Sequence, residues 1–271
     1  MRAARYLGAP NLKGPPWLPL MPQSPLQPFL LALLAATVVA SLPVARAAPP
    51  APALLQSLET ALNSGKSSSL GALVEPGPGL DPARLEARFN LLRDRFPDAR
   101  WSVKSGAPLR DGRPTVAIEV SGSRTEGPFR YSLEAEQVLA LTVNGSRLSG
   151  QELIRESTTL RSGEVNLPVS VLIPDAVLTG QRYDVDVIFD EPLDGAVAAG
   201  GIAAITPEQI SALETPDLEL AALGGGGLFK SVQAPLKPGS QTWAVLLVHP
   251  KGIVSTTKRV RVVADKAALT P

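Results

Sequence analysis

The chain contains no cysteine and a single histidine, His249. Without cysteine there can be no disulfide bond and no thiolate nucleophile, and one histidine cannot build a multi-histidine or cysteine–histidine zinc site. No G-x-S-x-G sequence nominates a catalytic serine. His249 follows an alternating strand and precedes Pro250, which indicates a hydrogen-bonded structural histidine. Most side chains that reveal catalysis are thus missing, and we expect no cofactor.

A strongly basic surface is also missing. The first 47 residues hold four basic residues and no acidic one, so residues 48–271 carry 22 basic and 25 acidic side chains, a formal charge near −3. Proteins that bind nucleic acid normally present a basic face. This balance argues against nucleic acid as a partner.

One long uncharged run is present, Phe29–Val44, and Ala45-Arg46-Ala47 follows it. The run is shorter than the about 20 apolar residues that span a membrane, but it is typical of a secretory signal peptide with an A-x-A cleavage site. We therefore expect residues 1–47 to be removed by cleavage after Ala47. The mature chain is then exported, to the periplasm or the extracellular space, without a transmembrane span. A retained anchor is the alternative.

Export without any cysteine favours a bacterial envelope over an extracellular eukaryotic setting, where small domains are often rich in disulfides. The segment ahead of the apolar run is long and proline-rich for a signal peptide. Translation from Met1 or from Met21 fits the sequence equally well.

Residues 52–96 show helical periodicity. Leu54, Leu55, Leu58 and Leu62 form one apolar face. Asn63-Ser64-Gly65 should end this first helix, and a short second turn is expected over Ser68–Val74. Asp81-Pro82 predicts the start of a longer helix, with Asp81 as its N-cap and proline at the first helical position. Phe96-Pro97 should end it.

Alternating strands replace the helices after Trp101. Apolar and polar residues alternate over 115–120 and again over 129–136, which predicts half-buried antiparallel strands. Asn144-Gly145 predicts a two-residue hairpin turn, because both residues tolerate positive φ. The chain should then return as a strand over Leu148–Leu160.

This order of elements, helices followed by long antiparallel strands over residues 52–163, resembles the α+β cone of the nuclear transport factor 2-like superfamily. The resemblance implies a cone-like domain, residues 48–163, with a pocket at its open end. Its implied liners are Trp101, Phe129 and Tyr131. Because enzymes of that superfamily abstract a proton with a carboxylate or histidine in the cone, Glu119, Glu134 and Glu136 become candidate general bases. Alternation, however, places these glutamates opposite the apolar faces, so exposure to water is the competing interpretation.

Residues 164–271 continue the alternation without long helices. The predicted strands are Leu167–Ile173, Tyr183–Phe189, Gly201–Ile205, Leu228–Val232, Gln241–His249 and Ile253–Val263. Short strands separated by proline, glycine and aspartate turns are typical of an antiparallel sandwich, and this half resembles an immunoglobulin-like module without its disulfide. A short helix is predicted over Pro207–Leu213.

The amino-acid sequence of three stretches in this half is similar to that of uncharacterised exported proteins of cyanobacteria. They are Val177-Leu178-Thr179-Gly180 with Tyr183-Asp184-Val185-Asp186-Val187, then Gly227-Leu228-Phe229-Lys230-Ser231-Val232, and Gly239-Ser240-Gln241-Thr242-Trp243. The similarity suggests a lineage and no activity.

The densest acidic cluster is a candidate calcium site. It comprises Asp184, Asp186, Asp190, Glu191 and Asp194. Several carboxylates on one strand face and the following loop can converge on a hard cation. A solvated strand face that blocks edge pairing explains the same residues.

Arginines cluster on and after the second main helix, at Arg84, Arg88, Arg93, Arg95 and Arg100. Their spacing is typical of the polar side of an amphipathic helix. Contact with an acidic partner or an anionic lipid surface is the alternative.

Together these features predict an α+β chain with two domains, a cone-like one followed by an all-β sandwich. The expected function is a non-catalytic binding or assembly module of the bacterial envelope, with an envelope protein or a small apolar ligand as its partner. The alternative is a small-molecule enzyme, isomerase-like or hydrolase-like, that uses the cone pocket.

Overall fold

The computed structural model of the protein describes residues 50–163, 167–191, 195–212, 216–224 and 226–270. The predicted signal peptide, residues 1–47, lies outside these ranges. The described chain is a mixed α+β fold in which antiparallel strands predominate. Within these ranges, no helix combines the length and the hydropathy needed to cross a bilayer.

Three helices precede the strands, and a fourth interrupts them. The helices are α1 (Pro52–Asn63), α2 (Ser67–Gly71), α3 (Pro82–Arg95) and α4 (Pro207–Ala212). The strands of the first half are β1 (Arg100–Ser105), β2 (Thr115–Glu126), β3 (Phe129–Asn144) and β4 (Arg147–Gly163). Those of the second half are β5 (Val169–Leu172), β6 (Ala176–Leu178), β7 (Arg182–Phe189), β8 (Ala199–Ile205), β9 (Ala221–Ala222), β10 (Gly227–Gln233), β11 (Gly239–His249) and β12 (Gly252–Val263).

The predicted start of α3 is confirmed. Asp81 Oδ1 accepts hydrogen bonds from the backbone N–H groups of Ala83, at 3.0 Å, and Arg84, at 3.3 Å. These bonds satisfy two of the donors that a helix leaves free at its first turn. Pro82 costs nothing at the first helical position because its N–H would have no partner there.

The hairpin between β3 and β4 forms one residue later than predicted. Asn144 still pairs with Arg147, so the two turn residues are Gly145 and Ser146. Gly145 has a φ of 61°, a conformation that glycine adopts without steric cost. The side-chain amide of Asn144 instead donates to Glu75 Oε1 at 2.9 Å, which ties the hairpin to the segment after α2.

One large sheet contains strands from both halves of the chain, in the order β1-β2-β3-β4-β12-β11-β8-β9. The two halves meet where β4 pairs antiparallel with β12, over residues 157–163 and 252–258. Beyond Lys258, the edge of β12 that had paired with β4 pairs instead with β6, in parallel. β4 and β12 therefore separate at this point.

Two hydrophobic cores lie on opposite faces of this sheet. Leu160 packs against the first core and is paired with Ser255, so both residues point to the same face. The next residue back, Val254, points to the other face and belongs to the second core. Helices α1 to α3 contribute to the first core, over the β1–β4 half of the sheet.

The second core lies between the β12-β11-β8 part of the sheet and a separate three-stranded sheet, β10-β7-β5. Val185 and Val187 from β7 pack with Val245 and Leu247 from β11, and all four are fully buried. The boundary between two domains near residue 163 stays a prediction, since the cores are separate but the β4–β12 hydrogen bonds join the halves.

Candidate ligand cavity and adjoining groove

An apolar cavity of about 310 Å³ lies in the first core, between the helices and the sheet. From the helical side it is lined by Leu58, Leu62, Leu70, Leu85, Phe89 and Leu92, and from the strands by Trp101, Ile118, Val120, Leu133, Ala135, Leu139, Leu141, Leu148 and Leu153. Small-molecule sites in proteins span roughly 300–1,000 Å³ and are mostly apolar. The cavity has the size and chemistry of a site for a small apolar ligand.

Contacts at one end of the cavity fix the ring of Trp101. The ring centroid of Phe89 lies 5.6 Å from that of Trp101, and the guanidinium of Arg93 lies 4.5 Å from the same Trp101 centroid. Arg93 is held in turn because its Nη2 donates to the carbonyl of Leu62 at 3.0 Å. Burial lowers the pKa of Arg93, and the neighbouring charge of Arg100 lowers it further. Arg93 is thus a structural clamp between α1 and β1.

A glycine lets α3 end close to the sheet. A side-chain carbon added at Gly122 would lie 3.2 Å from Cβ of Phe96 and 3.3 Å from Cα of Ala99. Both distances are tighter than ordinary van der Waals contact. The small residue in β2 therefore allows the chain after α3 to pack directly on the strand.

The polar groups of the cavity wall are few. They are Arg88, Gln137, Gln151 and Thr158. Gln137 Nε2 donates to Glu156 Oε1 at 2.6 Å, so that amide is already engaged. None of the lining residues in the described ranges carries a carboxylate.

Of the six residues predicted to form the pocket, the structure brings only Trp101 to the cavity wall. Phe129 lies at the start of β3, 54% exposed. Tyr131 is half-buried and packs at the edge of the first core, with the guanidinium of Arg124 4.8 Å from its ring centroid. The prediction that Phe129 and Tyr131 line the pocket, which the resemblance implied, is therefore wrong. The strand carries them past the end of the cavity.

The three candidate general bases lie on the opposite face of the sheet. Glu119 pairs with Lys104 at 2.9 Å, Glu134 with Arg161 at 2.7 Å and Glu136 with Arg155 at 2.5 Å. Their side chains are 54%, 69% and 41% exposed. Each alternates with residues that line the cavity, so they occupy the water-facing side that the competing interpretation expected. There they border an open depression of about 540 Å³ together with Trp101.

An open groove of about 760 Å³ adjoins the cavity, at the point where β4 and β12 separate. One wall is the first two turns of α3 with Arg84 and Arg88, and the other is the last part of β12 with Arg259 and Arg261. The groove is therefore lined by four arginines from two distant parts of the chain.

The two β12 arginines differ in how far they are satisfied. Arg261 Nη2 donates to the carbonyl of Ala268 at 3.2 Å. Within the described residues, the buried Nε atoms of Arg259 and Arg261 have no hydrogen-bond acceptor. The pKa of Arg261 is lowered, mainly by burial and also by the charge of Arg259, although Glu152 and Asp175 act in the opposite direction.

Sequence analysis found Arg84 and Arg88 but missed Arg259 and Arg261. The β12 pair was missed because the groove depends on β4 leaving β12, which no local pattern predicts. The available signal was the alternation Arg259-Val260-Arg261-Val262. It places two positive charges on one strand face.

The four members of the predicted calcium cluster that the structure describes, Asp184, Asp186, Asp190 and Glu191, do not form a metal site. Within the described ranges, no group of three or more carboxylate or histidine side chains is placed to hold a metal ion. Asp186 lies on the outer face of the three-stranded sheet, in register with Leu172 on one side and Phe229 on the other. Asp194 lies outside the described residues.

His249 is the buried, hydrogen-bonded residue that its position predicted. Its Nδ1 accepts a hydrogen bond from the backbone N–H of Lys251 at 3.1 Å, and its ring lies 5.7 Å from that of Phe189. The bond closes the turn between β11 and β12. The residue therefore has a local structural role.

The second half of the chain matches one family model, described as "Domain of unknown function (DUF8623)", over residues 164–263. This range includes strands β5 to β12 and less than half of the chain. It contains Arg259 and Arg261 of the groove and none of the residues that line the cavity. No curated protein matches the chain.

Proposed function

We propose that the protein is an exported, non-catalytic binding module of the bacterial envelope that holds a small apolar ligand in the cavity of its first half. The observation that carries the proposal is the 310 Å³ space lined almost wholly by leucine, valine, isoleucine and aromatic side chains. Protein interiors are close-packed, with few voids larger than a water molecule. An apolar cavity of about 150 Å³ is already large enough to bind benzene.

The chemistry of the wall favours binding over catalysis. A general base must lie within hydrogen-bond reach of the proton that it removes. Among the described residues, the three candidate glutamates are paired with lysine or arginine on the other face of the sheet. Glu156, which accepts a hydrogen bond from the cavity-lining Gln137, is not itself among the lining residues. The amides and the threonine in the wall can orient a ligand but are weak acid–base groups.

The proposal assigns a cone-like form to the first half and an immunoglobulin-like sandwich to the second. Helices packed over one face of antiparallel strands support the first, and two sheets around a shared core support the second. A lineage among exported cyanobacterial proteins stays part of the proposal. The cone-like and the immunoglobulin-like assignment are both supported by the order and packing of the helices and strands.

A protein partner is proposed for the outer face of the three-stranded sheet. Leu172 and Phe229, in register across Asp186, are 57% and 61% exposed. Adjacent exposed apolar side chains often mark an interaction surface. Capture of an envelope protein by the intact chain, and its loss in the Leu172→Ser, Phe229→Ser double variant, would support this surface. Equal capture by both would exclude it.

The apolar ligand is tested by filling the cavity. Ala135 lines it, and leucine at this position adds apolar volume inside it. Ala117→Leu is the matched control, because Ala117 alternates with the cavity-lining Ile118 and so lies on the other face of the sheet. Decanol is the probe, titrated by calorimetry or by displacement of a fluorescent apolar dye.

We expect Ala135→Leu to lower decanol affinity by about tenfold or more, equivalent to about 1.4 kcal/mol, without loss of stability. Ala117→Leu should bind decanol as the parent chain does. If both variants bind decanol equally well, or if neither decanol nor a charged probe with the same chain binds the parent chain, the cavity is only a packing gap.

Export is tested by N-terminal sequencing of the protein from the envelope fraction. The expected first residue is Ala48. Retention in the cytoplasm, or a mature chain that still contains residues 29–44, would contradict the proposal.

A further inference from the structure

The apolar cavity and the arginine groove share part of their walls. Leu80, Leu85, Arg88, Gln151 and Leu153 line both. The two spaces are therefore adjacent. A molecule too long for the cavity alone would extend past these residues into the groove.

The groove has an excess of positive charge. Its two acidic residues, Asp81 and Glu152, already have partners. Asp81 caps α3, and Glu152 accepts from Arg113 Nη1 at 2.5 Å. Within the described part of the chain, none of the four groove arginines has a carboxylate within ion-pair distance.

Two of these arginines also hold buried donors in need of an acceptor. The Nε atoms of Arg259 and Arg261 are shielded from solvent and have no acceptor among the described residues. A buried donor without a partner has lost its hydrogen bonds to water and gained none from the protein, so an acceptor bound there is favoured. Guanidinium groups bind carboxylate and phosphate oxygens in a two-pronged geometry, and these bonds are about twice as strong as neutral ones.

We propose that the ligand is an anionic amphiphile, with an apolar chain in the cavity and a carboxylate or phosphate head group bound by Arg88 and Arg259 in the groove. This inference rests on the proposed apolar-ligand function and adds the chemistry of the head group. Arg88 is central because it lines both spaces. Its methylene groups can lie along the apolar wall while its guanidinium points to the groove.

Decanoate and decanol are the matched probes, since they share one chain and differ in charge. Decyl phosphate distinguishes a phosphate head from a carboxylate. Acetate and inorganic phosphate test whether the groove binds an anion without a chain. Each is titrated into the full-length protein by calorimetry at low ionic strength, because salt screens exposed charges.

The variant is Arg88→Gln, Arg259→Gln, which keeps hydrogen-bonding side chains and removes two charges. The control is Arg95→Gln, on the same helix and outside the lining of both spaces. Thermal unfolding of each variant checks that the fold is retained. We expect decanoate or decyl phosphate to bind the parent chain at least about tenfold more tightly than decanol.

The double variant should lose this preference, because its affinity for the two anions should fall much more than its affinity for decanol, while Arg95→Gln should keep the preference. Equal affinity for decanol and both anions would overturn the head-group inference and leave the proposed function standing. Failure of all three long-chain probes to bind would remove both. Binding of acetate or inorganic phosphate as tight as that of decanoate would also overturn it, because the groove would then be a simple anion site.

Discussion

The two halves of the large sheet build their cores in different ways. The second half is covered by another sheet, and its core contains nearly all of the largest side chains that are fully buried, including Val185, Val245, Leu247 and Val260. Among the described residues of the first half, only Val116 belongs to that group. Helices cover the first half, and a 310 Å³ space remains beneath them.

This difference shows how one sheet can serve two purposes. β-Branched side chains on two facing sheets interdigitate into a filled layer, which suits a scaffold. Three helices of 12, 5 and 14 residues rest on long, bulged strands at the other end. The space between them is available to a ligand.

Truncation of one leucine in each core should give the largest difference in unfolding free energy between the two halves. Leu247→Ala removes a fully buried side chain and should cost about 2–5 kcal/mol. Leu133→Ala removes a side chain that already borders the cavity, so its cost should fall near the lower end of that range. Denaturant unfolding measures both. A Leu133→Ala cost equal to that of Leu247→Ala would mean that the first core is as tightly filled.

Removal of a buried chain of hydrogen bonds in the second core should give the next largest loss of stability. Trp243 Nε1 donates to the Tyr183 hydroxyl at 2.9 Å, and that hydroxyl donates to Gln241 Oε1 at 2.7 Å. Burial raises the pKa of Tyr183. Tyr183→Phe leaves the indole N–H without its acceptor and should cost about 1–3 kcal/mol.

Tyr131→Phe is the control for that change, since Tyr131 is half-buried at the edge of the first core. Its unfolding free energy should change little. If the two variants were equally stable, the Tyr183 hydrogen bonds would contribute nothing to the second core.

The cap of α3 gives a smaller effect confined to the first half. Asp81→Ala removes two hydrogen bonds to the first turn and should cost about 0.5–2 kcal/mol. Because α3 supplies Leu85, Phe89 and Leu92 to the cavity wall, decanol binding should weaken as well. Asp94→Ala, an exposed change on the same helix, is the control. An unchanged stability in Asp81→Ala would contradict the role of the cap.

The smallest effect concerns pH. Asp98 accepts from the hydroxyl of Ser123 at 2.6 Å and from its N–H at 2.7 Å, and these bonds hold the pKa of Asp98 below its usual 3.8. A lowered folded-state pKa stabilises the protein above the ordinary value, and the contribution disappears as pH falls through the folded value. Ser123→Ala should therefore be slightly less stable than the parent chain near neutral pH. The gap should narrow in acid, and a constant gap would exclude this linkage.

Local sequence patterns were sufficient for much of the fold. Asp81-Pro82 specified the start of α3, and the predicted strand Gln241–His249 forms as part of β11, because both signals act within a few residues. The pairing of β4 with β12 could not be predicted, since it joins residues that are far apart in the chain, from Gly163 with Gly252 to Ser157 with Lys258, and no motif marks it. The cone-like and sandwich forms stay proposals.

The site was less predictable than the fold. The cone resemblance implied both Trp101 and Phe129 as liners. Trp101 does line the cavity, whereas the end of a hairpin carries Phe129 into solvent. The acidic residues were more conspicuous than the leucines in the sequence, yet the leucines form the cavity. The arginine groove required the separation of β4 from β12, which is a property of the whole sheet.

The central claim is that an amphiphile binds in the first core and not in the second, and the tryptophans test it directly. A decanoate brominated at its last carbon quenches a tryptophan only on contact. Trp101 lines the cavity, and Trp243 lies in the other core. The account predicts saturable quenching in the parent chain and in Trp243→Phe, and its loss in Trp101→Phe. Quenching that survives Trp101→Phe and disappears in Trp243→Phe would contradict it.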